Sequence, residues 1–279
     1  MGAACVLPAR AADNDGREHA QALCSLMAQT LWRARLAASV QSVQAEAQRQ
    51  QVRSTFLAAV SHDLRTPLAT IVGAASALQT QRDKLSPTEQ DRLLGSIASE
   101  AGYLSTVTEN TLQLVRLTSL QKELKRDWES LEEIVGTVLS RLRQHDTGRR
   151  IKSKVPAGLP LIKADPVLLA QMLGNLLDNA LKYSSAAIDL VVTAEVHALT
   201  IAVKDRGPGI TPQERELIFE PYRRGDQSGQ RGAGLGLALC RAIALAHGGN
   251  LVVRNRSGGG ASFVVTLPLD EPQPEQERS

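Results

Sequence analysis

A histidine turned away from the apolar stripe of its own helix and, much further along the chain, a set of glycine-rich turns are the residues whose types and spacing could do chemistry. The histidine is His62, in the run Ser61-His62-Asp63-Leu64-Arg65-Thr66-Pro67-Leu68. At about 100° per residue, a helix puts Leu57, Val60, Leu64, Leu68, Ile71, Ala75 and Leu78 in one stripe roughly 80° wide, as a buried face requires. His62 falls roughly 160° from the middle of that stripe. Thr55, Ala58, Ala59, Thr66, Ala69 and Gly73 share its side. All are small, so another protein surface could come close to the ring. Neutral imidazole, with an ordinary pKa of about 6.5, is a nucleophile. Asp63 could accept a proton from one ring nitrogen while the other attacks phosphorus. Pro67 removes the bond its N–H would make to the carbonyl of Asp63, and a bend is expected there.

The later residues could hold a nucleotide. Asn175 and Asn179, four apart, share a helix face, and an amide oxygen suits Mg2+, which favours oxygen ligands. Tyr183 stands one turn beyond Asn179, where it could contact the nucleotide. Asp205 ends a hydrophobic strand. Its carboxylate can accept the amino proton of adenine while Gly207 and Gly209 let the backbone approach the base. Gly232, Gly234 and Gly236 precede a helix whose open amides and positive end can receive phosphate oxygens. No strand-helix-strand repeat with a ribose-binding acid surrounds them, so they are not a dinucleotide fingerprint. Between Ile210 and Gly232 a polar stretch with Arg223 and Arg224 reads as a lid. Gly258-Gly259-Gly260 reads as a structural turn, and His19, His145, His197 and His247 as incidental. A phosphate cradle and an exposed imidazole in one chain point to phosphoryl transfer onto His62.

Taken in order, Ser61 to Leu68, then Asn175-Leu176-Leu177-Asp178-Asn179-Ala180-Leu181-Lys182-Tyr183-Ser184, Asp205-Arg206-Gly207-Pro208-Gly209, Ile218-Phe219-Glu220-Pro221 and Gly232-Ala233-Gly234-Leu235-Gly236-Leu237 resemble the H, N, G1, F and G2 boxes of sensor histidine kinases. The resemblance covers roughly residues 50 to 268. It implies ATP and Mg2+ as cofactors, His62 as phospho-acceptor, Asn179 as metal ligand and Lys182 as phosphate-binding lysine. It also implies Arg224 as the basic lid residue, Leu235 and Leu237 as part of the phosphate-binding box, and Thr66 positioning water for the reverse hydrolysis. A homodimer and a response regulator receiver domain are the implied partners. Asp63 stands where many such kinases have Glu. With the ending Gly259-Gly260-Ala261-Ser262-Phe263, this variant is most similar to the Kdp-type potassium or turgor sensor kinases. Two rivals are an ATPase clamp of the same fold superfamily that needs no histidine, and a degenerate kinase serving as a scaffold.

Composition narrows the classes. Hydrophobic content of 43% and charged content of 22% are those of a soluble globular protein. With only 3% aromatic residues, the cores must be built from Leu, Val, Ile and Ala. A net charge of +3, without aromatic residues among basic clusters, argues against nucleic acid. Cys5, Cys24 and Cys240 have neither disulfide-like nor ligand-like spacing and read as reduced thiols. No stretch approaches the roughly 18 apolar residues of a membrane span, and no signal-peptide core follows Met1. The chain as given is expected in the cytoplasm, as the cytosolic part of an inner-membrane sensor if the whole protein is a receptor.

The elements that must position these residues follow from periodicity. The expected fold is multidomain, α and α+β: a long helical hairpin forming a dimeric four-helix bundle, then an α/β-sandwich ATPase domain of the histidine kinase/Hsp90/gyrase type. Residues 1–17 read as a disordered leader and 18–50 as a signalling helix whose loose apolar face carries Leu23, Met27, Leu31, Ala34 and Ala38, most apt to loosen around 41–51. The phosphotransfer domain is assigned to 51–125, with a turn near Lys84, a capping box at Ser86-Pro87-Thr88-Glu89 and a second helix reaching about Lys122. The catalytic domain is assigned to 126–269, after a hinge at 124–130, and 270–279 to a disordered tail. Within the catalytic domain, helices are expected at 131–142, 166–181 and 235–247 with a short one that starts at Thr211-Pro212-Gln213-Glu214, and strands at 151–155, 188–194, 199–204, 250–255 and 261–267.

Overall fold

The computed structural model describes residues 14–118, 124–143, 146, 148, 150–223 and 233–269; of 14–21, 37–38, 41–63 and 82 it describes the backbone course alone. The expected leader and tail therefore lie almost wholly outside the described residues. So do Arg224 and Gly232, and the side chains of His62 and Asp63. The chain divides into two units, residues 1–59 and 60–279. Helix α1 (Asn14–Thr80) has a share in each. It begins four residues before the expected start and continues through 41–51 without a break in its helical assignment. In the first unit Leu23, Met27 and Leu31 are exposed, as are Leu26, Trp32 and Leu36. No helix among the described residues is long and apolar enough to cross a membrane.

The second unit opens with the end of α1, a 3-10 turn (Arg82–Lys84) and α2 (Pro87–Thr118). The capping box forms as expected: Glu89 Oε2 accepts from Ser86 N at 2.8 Å and Ser86 Oγ at 2.7 Å, and Glu89 N donates to Ser86 Oγ. Those bonds hold the Glu89 carboxyl below the usual carboxylate range. Among the residues of α1 whose side chains are described, Pro67 and Ala74 are buried, roughly 70° to one side of the centre of the expected stripe, while Leu68 is 54% exposed and Val72 61%. A helix in a hairpin has a neighbour on one side only, so the rest of its apolar surface waits for another partner. On α2, Glu100, Val107 and Leu114 are buried every second turn and Leu94 is exposed.

Beyond the hairpin lie β1 (Asp127–Glu129), α3 (Leu131–Arg143), β2 (Ile151–Lys154), β3 (Ile162–Ala164), α4 (Pro166–Tyr183), β4 (Ile188–Ala194), β5 (Ala198–Lys204), α5 (Glu214–Leu217), α6 (Gly236–Ala246), β6 (Asn250–Asn255) and β7 (Ala261–Pro268). The main sheet has the order β2-β4-β5-β7-β6, antiparallel except for β2 beside β4. Alternation decides its faces: Ile188, Leu190, Val192, Leu199, Ile201, Val203, Leu251, Val253, Phe263, Val265 and Leu267 point to the core. Helices α4 and α6 cover that side, with α3 against α4 and α2 against α6. Each fully buried leucine of α4, such as Leu173 or Leu177, contributes about 1.5–3 kcal/mol relative to exposure.

Strands β1 and β3, paired antiparallel with Trp128 opposite Lys163, were not expected. Three-residue strands are too short for alternation to show. Their pairing ties down Asp127 to Glu129, in the middle of the expected hinge, so that stretch is part of the folded domain.

His247 also needs correction. It is 3% exposed. Its Nε2 accepts from Asp165 N at 3.0 Å, so Nδ1 carries the hydrogen and donates to Ile243 O at 2.8 Å. The ring thus ties the end of α6 to Asp165, whose carboxylate caps α4 at Val167 N and Leu168 N. Burial holds this imidazole below the ordinary histidine range. The unfolded chain takes up a proton near pH 6.5 and the folded one only at lower pH. The stability is therefore present above about 6.5 and is lost as pH falls toward the folded value, at no more than about 1.4 kcal/mol per pH unit. Urea unfolding from pH 7.5 to 5 should show this decline, and His247→Gln should flatten it; equal slopes would contradict the assignment.

Candidate functional site

Three segments converge at one end of the main sheet. The first is the C-terminal half of α4. Asn179 faces the start of α6: a Cβ built on Gly236 would stand 4.0 Å from Asn179 Nδ2. Lys182 Nζ lies 5.4 Å from the centre of the Tyr183 ring, which is about half exposed. Asn175 sits one turn deeper. Its Nδ2 is buried beside the Cys240 thiol and has no other partner among the described residues. Burial pushes that thiol up to about 12, so Cys240 is a packing residue. Of the expected site residues, Asn175 alone borders a cleft of about 860 Å³ between α2, α3 and α4.

The second segment is the turn after β5. Asp205 is 5% exposed, and its Oδ1 accepts from Gly207 N at 2.8 Å and Ala261 N at 3.0 Å. One carboxylate oxygen is thereby used to shape the loop, which aims the other. Two glycines are required by contact. A Cβ on Gly207 would come within 2.7 Å of Tyr183 O, and one on Gly260 would run into Asp205 O. The closing Gly258–Gly260 turn is thus more than a link between strands, because it packs on the backbone of Asp205. Asn255 pins the far end of the loop, with Oδ1 accepting from Ile210 N at 2.9 Å and Nδ2 donating to Ile210 O at 2.7 Å. Arg256 Nη1 donates to Asp205 O at 2.8 Å. Gly209, at φ +78°, adopts a conformation that favours glycine.

The third segment is the start of α6. Leu235 is 1% exposed and anchors the helix in the core; as N-cap residue it offers no capping side chain. The first amides of α6, from Gly236 and Leu237 onward, are left for an anion. Gly234, at φ +67°, accepts from Tyr222 N at 3.0 Å and packs against the backbone of Tyr222 and Arg223. The two flanks of the expected lid are therefore joined at its base. Tyr222 itself has φ +63°, and its hydroxyl lies 3.4 Å from Thr111 Oγ1 on α2. Gln171 Nε2 donates to Asn110 Oδ1 on the same helix at 3.0 Å.

Asn179, Lys182, Tyr183, Asp205, Gly207, Gly209, Gly234, Leu235, Gly236 and Leu237 are thus brought to one region. On α1, Thr66, Ala69 and Gly73, the described members of the small face shared with His62, are exposed. Sequence reasoning missed Asn255, Arg256 and Tyr222. Their roles depend on strand register and on a left-handed residue, neither of which has a local signature.

Comparison with known proteins agrees with this geometry. Residues 52–120 match the His Kinase A (phospho-acceptor) domain, and residues 164–271 the histidine kinase-, DNA gyrase B- and HSP90-like ATPase. The sensor protein KdpD of Escherichia coli strain K12 is 38% identical over 247 residues, which are 87% of this chain and 27% of that protein. The chain spans about a quarter of the length of the KdpD sensor proteins it matches. Full-length ShkA, solved in complex with AMPPNP, superposes with a TM-score of 0.58 at 31% identity, covering 78% of this chain and 45% of that one. Histidine kinase ThkA, solved in complex with response regulator protein TrrA, shares the fold with a TM-score of 0.63 at 22% identity, covering 80% of this chain and 64% of that one. With a phospho-acceptor hairpin followed by an ATPase domain of matching residues and fold, the chain belongs to the sensor histidine kinases.

Proposed function

We propose that this chain is an ATP-dependent, homodimeric protein histidine kinase that phosphorylates His62 and passes the phosphoryl group to an aspartate of a response regulator receiver domain. The observation that carries the reading is the meeting of Asn179 with the uncapped start of α6, beside the Asp205 turn. Asp205 accepts from the adenine amino group. Lys182 and the α6 amides hold phosphate oxygens, Tyr183 lies along the nucleotide, and Asn175 supports the helix face behind Asn179. Arg224 and Gly232 complete the phosphate side from the lid.

Mg2+ fits the residues present. Asn179 brings an amide to the gap before Gly236, and rotation of that amide presents its oxygen. Held there by Asn179, the ion would offset the charge of the triphosphate. The other steps fall to this chain's side chains. A ring nitrogen of His62 forms a bond to the γ-phosphorus as the bond to the β–γ bridging oxygen breaks. Asp63 takes the proton from the other ring nitrogen. Thr66 orients water for the reverse hydrolysis of the phosphorylated regulator. Exposed Leu68, Val72 and Leu94 are the surface a second copy covers. The domain limits are those given above, with the catalytic domain beginning at β1. The 38% sequence identity to KdpD of Escherichia coli supports a Kdp-type role, with potassium or turgor as the stimulus of the whole sensor, and dependence on ATP supports a cytosolic location for this part.

Incubation with γ-labelled ATP and Mg2+ should give acid-labile label approaching one phosphate per chain, chased off by a receiver domain. Steady ATP turnover with no protein label would overturn this reading in favour of an ATPase clamp. Failure to bind Mg·ATP in a calorimetric titration would favour a scaffold.

A further inference from the structure

The last turn of α4 carries Lys182 and Tyr183, and its terminal carbonyls have no partners within the helix. Arg150, from the segment before β2 and outside every motif, reaches one of these carbonyls and that of the C-cap residue, Ser184. Its Nη1 donates to Ser184 O at 2.6 Å, and both Nη atoms lie 3.5 Å from Leu181 O. Asp146, 4% exposed, orients the guanidinium. Its Oδ1 is 3.3 Å from Arg150 Nε, and its Oδ2 accepts from Arg150 N at 2.6 Å and Ile151 N at 3.3 Å. The backbone of Arg150 is held too, because its carbonyl accepts from Ile188 N at 2.9 Å where β2 meets β4. An exposed ion pair at this spacing would matter little. Here the carboxylate is buried, and the guanidinium serves as a fixed donor to a helix end that favours positive charge.

That helix end is also the support of the Asp205 turn. Ser184, 4% exposed, accepts through Oγ from Arg206 N at 3.3 Å and Ala186 N at 3.2 Å. Tyr183 O lies against Gly207, where no Cβ would fit. The two residues that follow the base-binding carboxylate, Arg206 and Gly207, therefore rest on Ser184 and Tyr183 at the end of α4, and Arg150 holds that end in place.

We infer that Arg150, oriented by Asp146, is a positioning residue for recognition of the adenine base: it acts through Ser184 and the end of α4 to fix where Asp205 points. This rests on the reading of Asp205 as the acceptor of the adenine amino group. A residue that only stabilised the fold would affect all nucleotides alike. A positioning residue changes the preference for a base that carries the amino group over one that lacks it.

The test is calorimetric titration of the 279-residue chain with Mg·ADP and Mg·IDP, whose hypoxanthine has no exocyclic amino group. The wild-type chain should prefer ADP by about tenfold or more, the value of a hydrogen bond to a charged acceptor. Arg150→Ala should cut the preference to within about twofold, chiefly by weakening ADP, and Arg150→Lys, which keeps one donor, should restore part of it. Should Arg150→Ala not fold, Asp146→Asn is read in the same way. An unchanged preference in Arg150→Ala, or in Asp146→Asn if that variant stands in for it, overturns the role of Arg150. A different failure, no ADP preference in the wild type or an unchanged preference in Asp205→Ala, overturns the reading of Asp205 and this inference with it.

Discussion

In a chain carrying His62→Ala, transfer of label from γ-labelled ATP to protein falls to background, a loss of at least about a hundredfold. Phosphorylation on nitrogen needs a ring atom with a lone pair in line with the γ-phosphorus. The backbone of α1 carries no second histidine near His62 that could substitute. Because Asp205, Asn179 and the start of α6 lie far along the chain from His62, the variant should still bind Mg·ADP within about twofold of the wild type, as independent sites do. The two readouts separate loss of the acceptor from loss of the fold. His62→Gln, which keeps the side chain polar, should be equally inactive. Acid-labile label persisting in either variant would mean that another residue accepts the phosphoryl group.

Asn179→Ala is expected to lower the rate of labelling by about a hundredfold or more, the scale seen when one group stabilising developing charge is removed. The amide sits between α4 and the uncapped start of α6, where the charge of the triphosphate must be balanced. Adenosine has no triphosphate, so its binding should be nearly unchanged, because Asp205 keeps its bonds to Gly207 N and Ala261 N. Equal loss of adenosine and Mg·ATP binding would instead mean that Asn179 supports the fold. Mixed dimers of His62→Ala with Asn179→Ala add the route of transfer: restored labelling means that one protomer's catalytic domain serves its partner's histidine, and absence of labelling means transfer within a chain.

Much of the architecture was legible because local rules and tertiary demands agree. Ser86 with Glu89 and Asp165 before Pro166 form the caps their spacing predicts. Strands β4, β5 and β7 alternate because one face is buried. The motif residues were legible for a different reason. The boxes set glycine, amide and carboxylate at fixed offsets within single segments, and the fold itself requires two of those glycines, Gly207 against Tyr183 O and Gly234 against the backbone of Tyr222 and Arg223.

What escaped notice depended on neighbours distant in sequence. The β1–β3 pairing joins segments more than thirty residues apart and is too short to show a period. His247 looks like any histidine at a helix end until Asp165 N is found opposite its ring. Arg150 and Asp146 look like loop charges until α4 ends beside them. The apolar stripe of α1 was visible, but only packing decided that Pro67 and Ala74 would be buried and Leu68 exposed. By itself, then, the sequence determined the family and most of the helices and strands, since these depend on backbone preference and on motifs close together along the chain. Tertiary structure alone decided what holds the residues of those motifs in place, since a hydrogen bond across the fold leaves no periodic trace in either of the segments it joins.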